Sequence, residues 1–162
     1  MSTKGARAYY EITKTIKSSL LEDEHINTVT IGDITQIDLN KQEMFPLGHV
    51  MINNANLNDS TIQFNITVMV MDVVWQNKHE PANQKYDETF IGIDNEQDVL
   101  NTQLSVINVL NQKMMRGSLR TLGYELVGQS TCEPFKDRFE NELAGWAYTF
   151  SVYVRNDIDI CV

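Results

Sequence analysis

Two stretches of the chain alternate between apolar and polar side chains, as is typical of half-buried strands. Successive side chains of a strand point to opposite faces, so 61–74 and 145–154 are each predicted to form a long strand with one face against the core. The residues on these two faces are Ile62, Phe64, Ile66, Val68 and Val70, and Trp146, Tyr148, Phe150, Val152 and Val154.

The opposite face of the first strand changes from polar to apolar along its length. It begins with Gln63, Asn65 and Thr67 and ends with Met69 and Met71. Methionine is often found in protein cores, whereas glutamine and asparagine are mostly exposed. We therefore expect the far end of this strand to be covered on both sides.

Two other stretches show helical periodicity, with apolar residues three and four positions apart. The first predicts a helix over 6–22. The second predicts a longer helix over 95–116, with Asp94 as its N-terminal cap and Gly117 as its C-terminal cap. The apolar faces consist of Tyr9, Ile12, Ile16 and Leu20, and of Val99, Leu100, Leu104, Val106, Ile107, Leu110 and Met114.

The remaining sequence predicts short strands and polar connections. Strands are expected at 27–31, 48–55 and 124–128, an irregular connection at 33–45 and a polar loop at 76–88. The order helix, strand, hairpin, helix, hairpin predicts a single α+β domain over 1–162. In this fold, a mostly antiparallel sheet carries both helices on one face.

Composition narrows the possible functions. With 13 basic and 22 acidic residues, the net charge is −9, which disfavours tight non-specific binding of nucleic acid but not passage of DNA without adhesion. No apolar run is long enough for a membrane span, and the N-terminus shows no secretory pattern. The two cysteines, Cys132 and Cys161, indicate a reducing compartment and no disulfide scaffold.

The residues that most often carry chemistry are scattered. His25, His49 and His79 lack metal-ligand spacing, and no phosphate-binding loop or nucleophile elbow is present. The acidic cluster at 94–98 lacks the glycine and distal glutamate of a calcium loop. We therefore expect no catalytic residues, no metal and no cofactor.

The segment 133–154 begins with charged residues mixed with large apolar ones, and its first half is predicted to be a charged approach to the second long strand. Aromatic residues and arginine are enriched in interface hot spots, so the segment fits a subunit interface. Ordinary core packing with charge on the surface explains the same pattern, and both interpretations remain open. The cluster consists of Phe135, Arg138, Phe139, Leu143 and Trp146.

Several stretches resemble a family of virion proteins of tailed bacteriophages, encoded among the neck and tail genes. They are IGDITQIDLNKQ (31–42), MFPLGH (44–49), DNEQDV (94–99), CEPF (132–135) and RFENELAGW (138–146). The order of elements is similar to that of tail terminator, or tail-completion, proteins. Those are small α+β subunits that form a ring, commonly a hexamer, at the end of the tail tube where the head docks.

The resemblance implies a non-enzymatic subunit that caps the tail tube and joins tail to head. The implied partners are other copies of the chain in a ring, tail tube and head–tail connector proteins, and DNA that passes through the lumen without specific binding. No membrane is involved. The implied location is the tail or neck of the virion, after assembly in the host cytoplasm.

Two sets of residues are assigned to such a ring from the chain's own pattern. The subunit interface is predicted to contain Phe135, Arg138, Phe139, Glu140, Trp146, Lys78 and Tyr86. Acidic residues that face the channel would repel DNA phosphates. Those predicted to do so are Glu22, Asp23, Glu24, Asp94, Glu96 and Asp98. The alternative is that these residues lie on an outer rim and only aid solubility.

Two other functions compete with this one. The nearest is another head-to-tail connector ring, an adaptor or stopper with twelve or six subunits. The other is a small cytosolic enzyme or ligand-binding domain, which needs a concave pocket with converging polar groups and a perturbed titratable residue.

Overall fold

The computed structural model describes residues 7–38, 42–74, 96–136, 142–156 and 158. Within these ranges the helices are α1 (Ala8–Leu21), α2 (Glu96–Arg116) and the short α3 (Ser118–Thr121). The strands are β1 (Thr28–Ile31), β2 (Leu47–Leu57), β3 (Thr61–Val73), β4 (Glu125–Lys136) and β5 (Leu143–Arg155). The helices α1 and α2 and the long strands β3 and β5 confirm the four elements predicted from periodicity.

The strands form one mixed sheet in the order β1-β2-β3-β5-β4. β1 runs parallel to β2, and every other neighbouring pair is antiparallel. The central pair, β3 and β5, stays in register from Thr61 opposite Arg155 to Val73 opposite Leu143. The predicted α+β class with a mostly antiparallel sheet is confirmed.

Both main helices pack on the same face of the sheet, as predicted. Their buried residues share one core with the alternating apolar residues of β3 and β5. Ile16 of α1, Ile66 of β3 and Val152 of β5 are fully buried there. Fully burying an aliphatic side chain contributes roughly 1.5–3 kcal/mol, so this shared face provides most of the attraction between helices and sheet.

The opposite face is covered at one end of the sheet, which we call the covered end. Leu47, Met69 and Met71 lie under Phe45 and the partly buried Ile34, Ile37 and Met44 of the connection after β1. The prediction that the far end of β3 is covered on both sides is confirmed. The other end of this face carries no second layer within the described residues, and we call it the open end.

The prediction for β4 was wrong in length. A short strand was expected at 124–128, but β4 continues to Lys136 and includes Pro134 and Phe135. The first residues of what was expected to be a charged approach, 133–136, therefore belong to a strand, and 137–141 lie outside the described residues. Proline is tolerated because β4 is an edge strand, where a missing N–H breaks no ladder hydrogen bond. A bulge at 128–130, with Gly128 at φ 66°, divides the strand.

The helix α2 ends before Gly117 as predicted, but not with a left-handed cap. Gly117 has φ −106°, and its N–H donates to the carbonyl of Lys113 over 3.1 Å. A Cβ at this position would lie 2.8 Å from the Cα of Lys113. Close approach to the last helical turn therefore explains the glycine.

Candidate functional site

Two residues of the predicted interface lie in the described part of the chain, and both contribute to internal packing. Phe135 is only 4% exposed, so almost none of its side chain is available to a neighbour. Trp146 donates a hydrogen bond from Nε1 to the carbonyl oxygen of Leu100 over 2.8 Å, which ties β5 to α2. The other members, Arg138, Phe139, Glu140, Lys78 and Tyr86, lie outside the described residues. The interface assignment for this set stays a prediction.

The first acidic group predicted for the channel lies just after α1. Glu22 forms an ion pair with Lys113 of α2, with 2.8 Å between Oε2 and Nζ. Asp23 accepts a hydrogen bond from the backbone N–H of His25 over 3.0 Å. Glu24 is exposed beside them. The Glu22–Lys113 ion pair therefore joins the C-terminal ends of α1 and α2, and Asp23 bonds within the turn that follows α1.

The second acidic group lies at the opposite end of α2. The carboxylate of Glu96 is 2.8 Å from Nζ of Lys136 in β4, and Asp98 is exposed two residues further along the helix. A helix rises 1.5 Å per residue, so 96 and 113 are about 26 Å apart along α2. The fold therefore keeps the two acidic groups apart. Asp94 lies outside the described residues, and which groups face a lumen stays a prediction.

His49 is fully buried at the covered end. Its Nε2 lies 2.8 Å from the carbonyl oxygen of Gly32, and its Nδ1 lies 2.7 Å from Oγ1 of Thr30. A carbonyl can only accept, so Nε2 carries the proton and neutral Nδ1 accepts from the threonine hydroxyl. Burial lowers the pKa of His49, and this opposes protonation. The residue joins β2 to the end of β1 and has a structural role.

The histidines within the described ranges do not form a metal site. No group of three or more His, Cys, Asp or Glu side chains there could hold an ion. His25 is exposed beside Glu24, and His79 lies outside the described residues. None of the described helices is long and apolar enough to cross a bilayer.

A groove runs between α2 and β4, at the bulge of the edge strand. It consists of two adjoining cavities of about 500 and 530 Å³, which share Asn111 and Ser130. The hydroxyl of Tyr148 reaches between the two elements, 2.6 Å from Oδ1 of Asn111 and 3.3 Å from Oγ of Ser130. Cys132 lies on the same wall.

The groove has the chemistry of a binding surface. Burial raises the pKa of the Cys132 thiol and of the Tyr148 hydroxyl. Both groups therefore stay protonated at neutral pH, and a protonated thiol is a poor nucleophile. A groove lined with amides, hydroxyls and apolar groups can hold a small polar ligand through hydrogen bonds.

At the open end, neutral polar side chains cross the sheet in a continuous ladder. Asn65 of β3 donates to Asn54 of β2 and accepts from Ser151 of β5. One row further along, the hydroxyls of Thr67 and Thr149 are 3.2 Å apart. We call these five residues the polar ladder. The periodicity of β3 predicted a polar start to this face, but the partners of each residue depend on strand order.

Comparison with known proteins gives no family assignment: no protein-family model and no curated protein sequence matches the chain.

The candidate surfaces described above are the polar ladder, the groove and the two acidic groups. The groove was not predicted from sequence. Its lining combines α2 with a bulged strand whose extent and pairing are not visible from local pattern.

Proposed function

We propose that the chain is a structural virion protein of a tailed bacteriophage, a tail terminator or neck-ring subunit that caps the tail tube and joins tail to head. The resemblance over 31–49, 94–99 and 132–146 supports this proposal. The observation that carries it is the division of the sheet into two faces: one packed under both helices and one displaying the polar ladder.

A subunit of this kind can form a channel wall that does not retain DNA. Non-specific affinity for duplex DNA comes mainly from lysine and arginine neutralising phosphates. The amides and hydroxyls of the polar ladder supply no cation, and the net charge of −9 adds long-range repulsion. In the proposed ring the helical layer lies outside and the open face of the sheet lies toward the bore. This orientation favours the alternative that the acidic groups at the ends of α1 and α2 lie on the outer rim.

Electron cryomicroscopy of the purified protein, and of virions that contain it, tests the proposal. We expect a closed ring at the junction of tail tube and head. Twelvefold symmetry on the head side of the junction would instead assign an adaptor. A chain that stays monomeric at every concentration, with tail tubes present or absent, would contradict the ring.

DNA binding provides a second test of the channel wall. We expect no measurable binding of duplex DNA to the purified protein at moderate salt. Tight binding that weakens with salt would reveal a basic face and contradict a non-adhesive wall.

The groove between α2 and β4 favours a second candidate function, a small ligand-binding domain. Its volume and its hydrogen-bonding groups, Tyr148, Asn111 and Ser130, are those of a small-molecule site. A screen of small polar compounds by thermal shift separates the two functions. A ligand that stabilises the wild type, but not Tyr148→Phe, would support this candidate.

A further inference from the structure

The sheet has two outer edges, and at the open end they are formed by the outer sides of β2 and β4. On one side, β1 pairs with β2 from Leu47 to Val50 and then stops. Within the described residues, 51–57 of β2 has no partner on its outer side. On the other side, β4 pairs with β5 alone. Unpaired backbone N–H and C=O groups of an edge strand are a template for another strand.

The unpaired segments of β2 and β4 lie at the same position along the strand direction, on opposite edges of the sheet. Asn54 is opposite Asn65, which is opposite Ser151, which is opposite Val127. In the same way, Asn56 is opposite Gln63, Gln63 is opposite Tyr153, and Tyr153 is opposite Glu125. Residues 51–57 of β2 are therefore level with 125–131 of β4, across the full width of the sheet.

Features that block strand pairing are concentrated at the covered end. There, β1 occupies the outer side of β2, and β4 carries Pro134 and Lys136, a proline and a lysine of the kind that blunt exposed edges. The open segments lack such features. The sequence of 51–57, MINNANL, has no charge and no proline, and ELVGQST of 125–131 has Glu125 as its one charge.

A β-bulge can also prevent an edge strand from pairing with another strand, and the pairing register shifts once in each open segment. In β2 the register shifts at Asn53, and in β4 it shifts over 128–130. Both lie beside the row that contains Ile66 and Phe150. Because they are level, each edge keeps a regular run beyond the irregularity, 54–57 on one side and 125–127 on the other.

Strand direction allows these two runs to pair between copies. Antiparallel pairing at each step from β2 through β3 and β5 makes β4 antiparallel to β2. If β4 of one copy extends the sheet beside β2 of the next copy, the new pair is also antiparallel. The two edges belong to different strands, so the contact is heterologous, and repeating it can close a ring.

We propose that copies of this chain associate head to tail by strand addition, with 54–57 of β2 in one copy pairing with 125–127 of β4 in the next. The partner is thus a second copy of this chain. Leu57, which is 77% exposed, lies on the helix-facing side of its edge and gains apolar cover from the neighbour. The proposal rests on the proposed ring but names a specific interface, so the two can fail separately.

Site-directed cross-linking tests the interface. Asn56→Cys and Glu125→Cys are combined in a chain in which Cys132 and Cys161 are replaced by serine. Both altered positions are exposed and level. Oxidation, or a short bismaleimide that tolerates a small shift in register, should produce a ladder of covalent oligomers. Each single-cysteine chain should remain uncross-linked.

A matched pair of glutamate substitutions tests the same contact without cysteines. Asn56→Glu places a second carboxylate opposite Glu125 of the neighbouring copy, and like charges directly opposite each other in a sheet are destabilising. Asn101→Glu makes the same change on the exposed side of α2. We expect Asn56→Glu to weaken self-association at least tenfold, and Asn101→Glu to leave it unchanged. Circular dichroism checks that both variants fold.

The outcomes separate the two proposals. Rings that form but do not cross-link, and that tolerate Asn56→Glu, would overturn strand addition and leave the ring intact. Dimers from Asn56→Cys alone would indicate a symmetric contact between two β2 edges and would also overturn it. A chain that stays monomeric and uncross-linked at the highest attainable concentration, with tail tubes present or absent, would contradict both the interface and the ring.

Discussion

The covered and open ends of the sheet share β2, β3, β4 and β5 but differ in what surrounds them. At the covered end, Met69 and Met71 are buried under the connection after β1, and His49 is buried with both ring nitrogens bonded. At the open end, Asn65 and Thr67 bond to their neighbours across the surface. We infer that the covered end stabilises the subunit and the open end is available for assembly.

The largest expected effect is at Gly145, in β5 at the covered end. A Cβ at this position would overlap the carbonyl oxygen of Val70 and lie 2.8 Å from the Cα of Met71. Gly145→Ala should therefore separate β3 from β5 and cost more than about 3 kcal/mol, above the usual range for overpacking. Gly48→Ala is the control, because its Cβ would meet the flexible Leu20 side chain at 3.3 Å. Urea denaturation of both variants measures the difference, and equal stabilities would contradict this packing.

The next effect concerns Phe135, which was predicted to lie in an interface and is buried in the core. Removing a buried aromatic ring costs about 3–5 kcal/mol, so Phe135→Ala should lower the free energy of unfolding by that amount. Chemical denaturation at low protein concentration measures it without a contribution from assembly. If the variant kept its stability but lost self-association, the result would support the predicted interface role and contradict the core assignment.

The same substitution at the two ends should have unequal effects. Thr30→Val removes the partner of buried His49 Nδ1 and should cost about 1–3 kcal/mol, the penalty for an unsatisfied buried group. Thr67→Val removes hydrogen bonds to Asn53 and Thr149 on the open face and should cost about 0.5–1 kcal/mol. Thermal unfolding of both variants tests the ranking, and a costlier Thr67→Val would reverse the comparison.

The smallest expected effect is a pH dependence that comes from His49. Its pKa is lowered by burial, so between that value and about 6.5 the unfolded chain binds more protons than the folded one. The contribution of His49 to the free energy of unfolding should be complete above about pH 6.5 and should decrease as the pH falls toward the folded-state pKa. His49→Gln should flatten this dependence relative to wild type.

Local patterns predicted the elements whose side chains repeat regularly. β3 and β5 alternate over many residues, and α1 and α2 have continuous apolar stripes, so burial of one face determines each structure. β4 was underestimated because Pro134 and the charges near it resemble a loop. An edge strand tolerates both, but its edge position becomes visible only from the strand order.

The surfaces were harder to predict than the elements. Phe135 has the same side chain whether it packs against Phe45 and Met69 or against a neighbouring subunit, and these partners are distant in sequence. The level alignment of Asn56 with Glu125 likewise depends on the registers of three strand pairs. Neither relationship has a local signature, so the interface proposed here required the fold.

Hydrogen–deuterium exchange of monomeric and assembled protein tests the division between the two ends most directly. The outward-facing amides of 54–57 and 125–127, which have no strand partner in the monomer, should exchange rapidly there and slowly after assembly, because strand pairing protects them. Amides of 47–50, already paired between β1 and β3, should exchange slowly in both states. Assembly that protects other segments and leaves 54–57 and 125–127 unchanged would contradict the account.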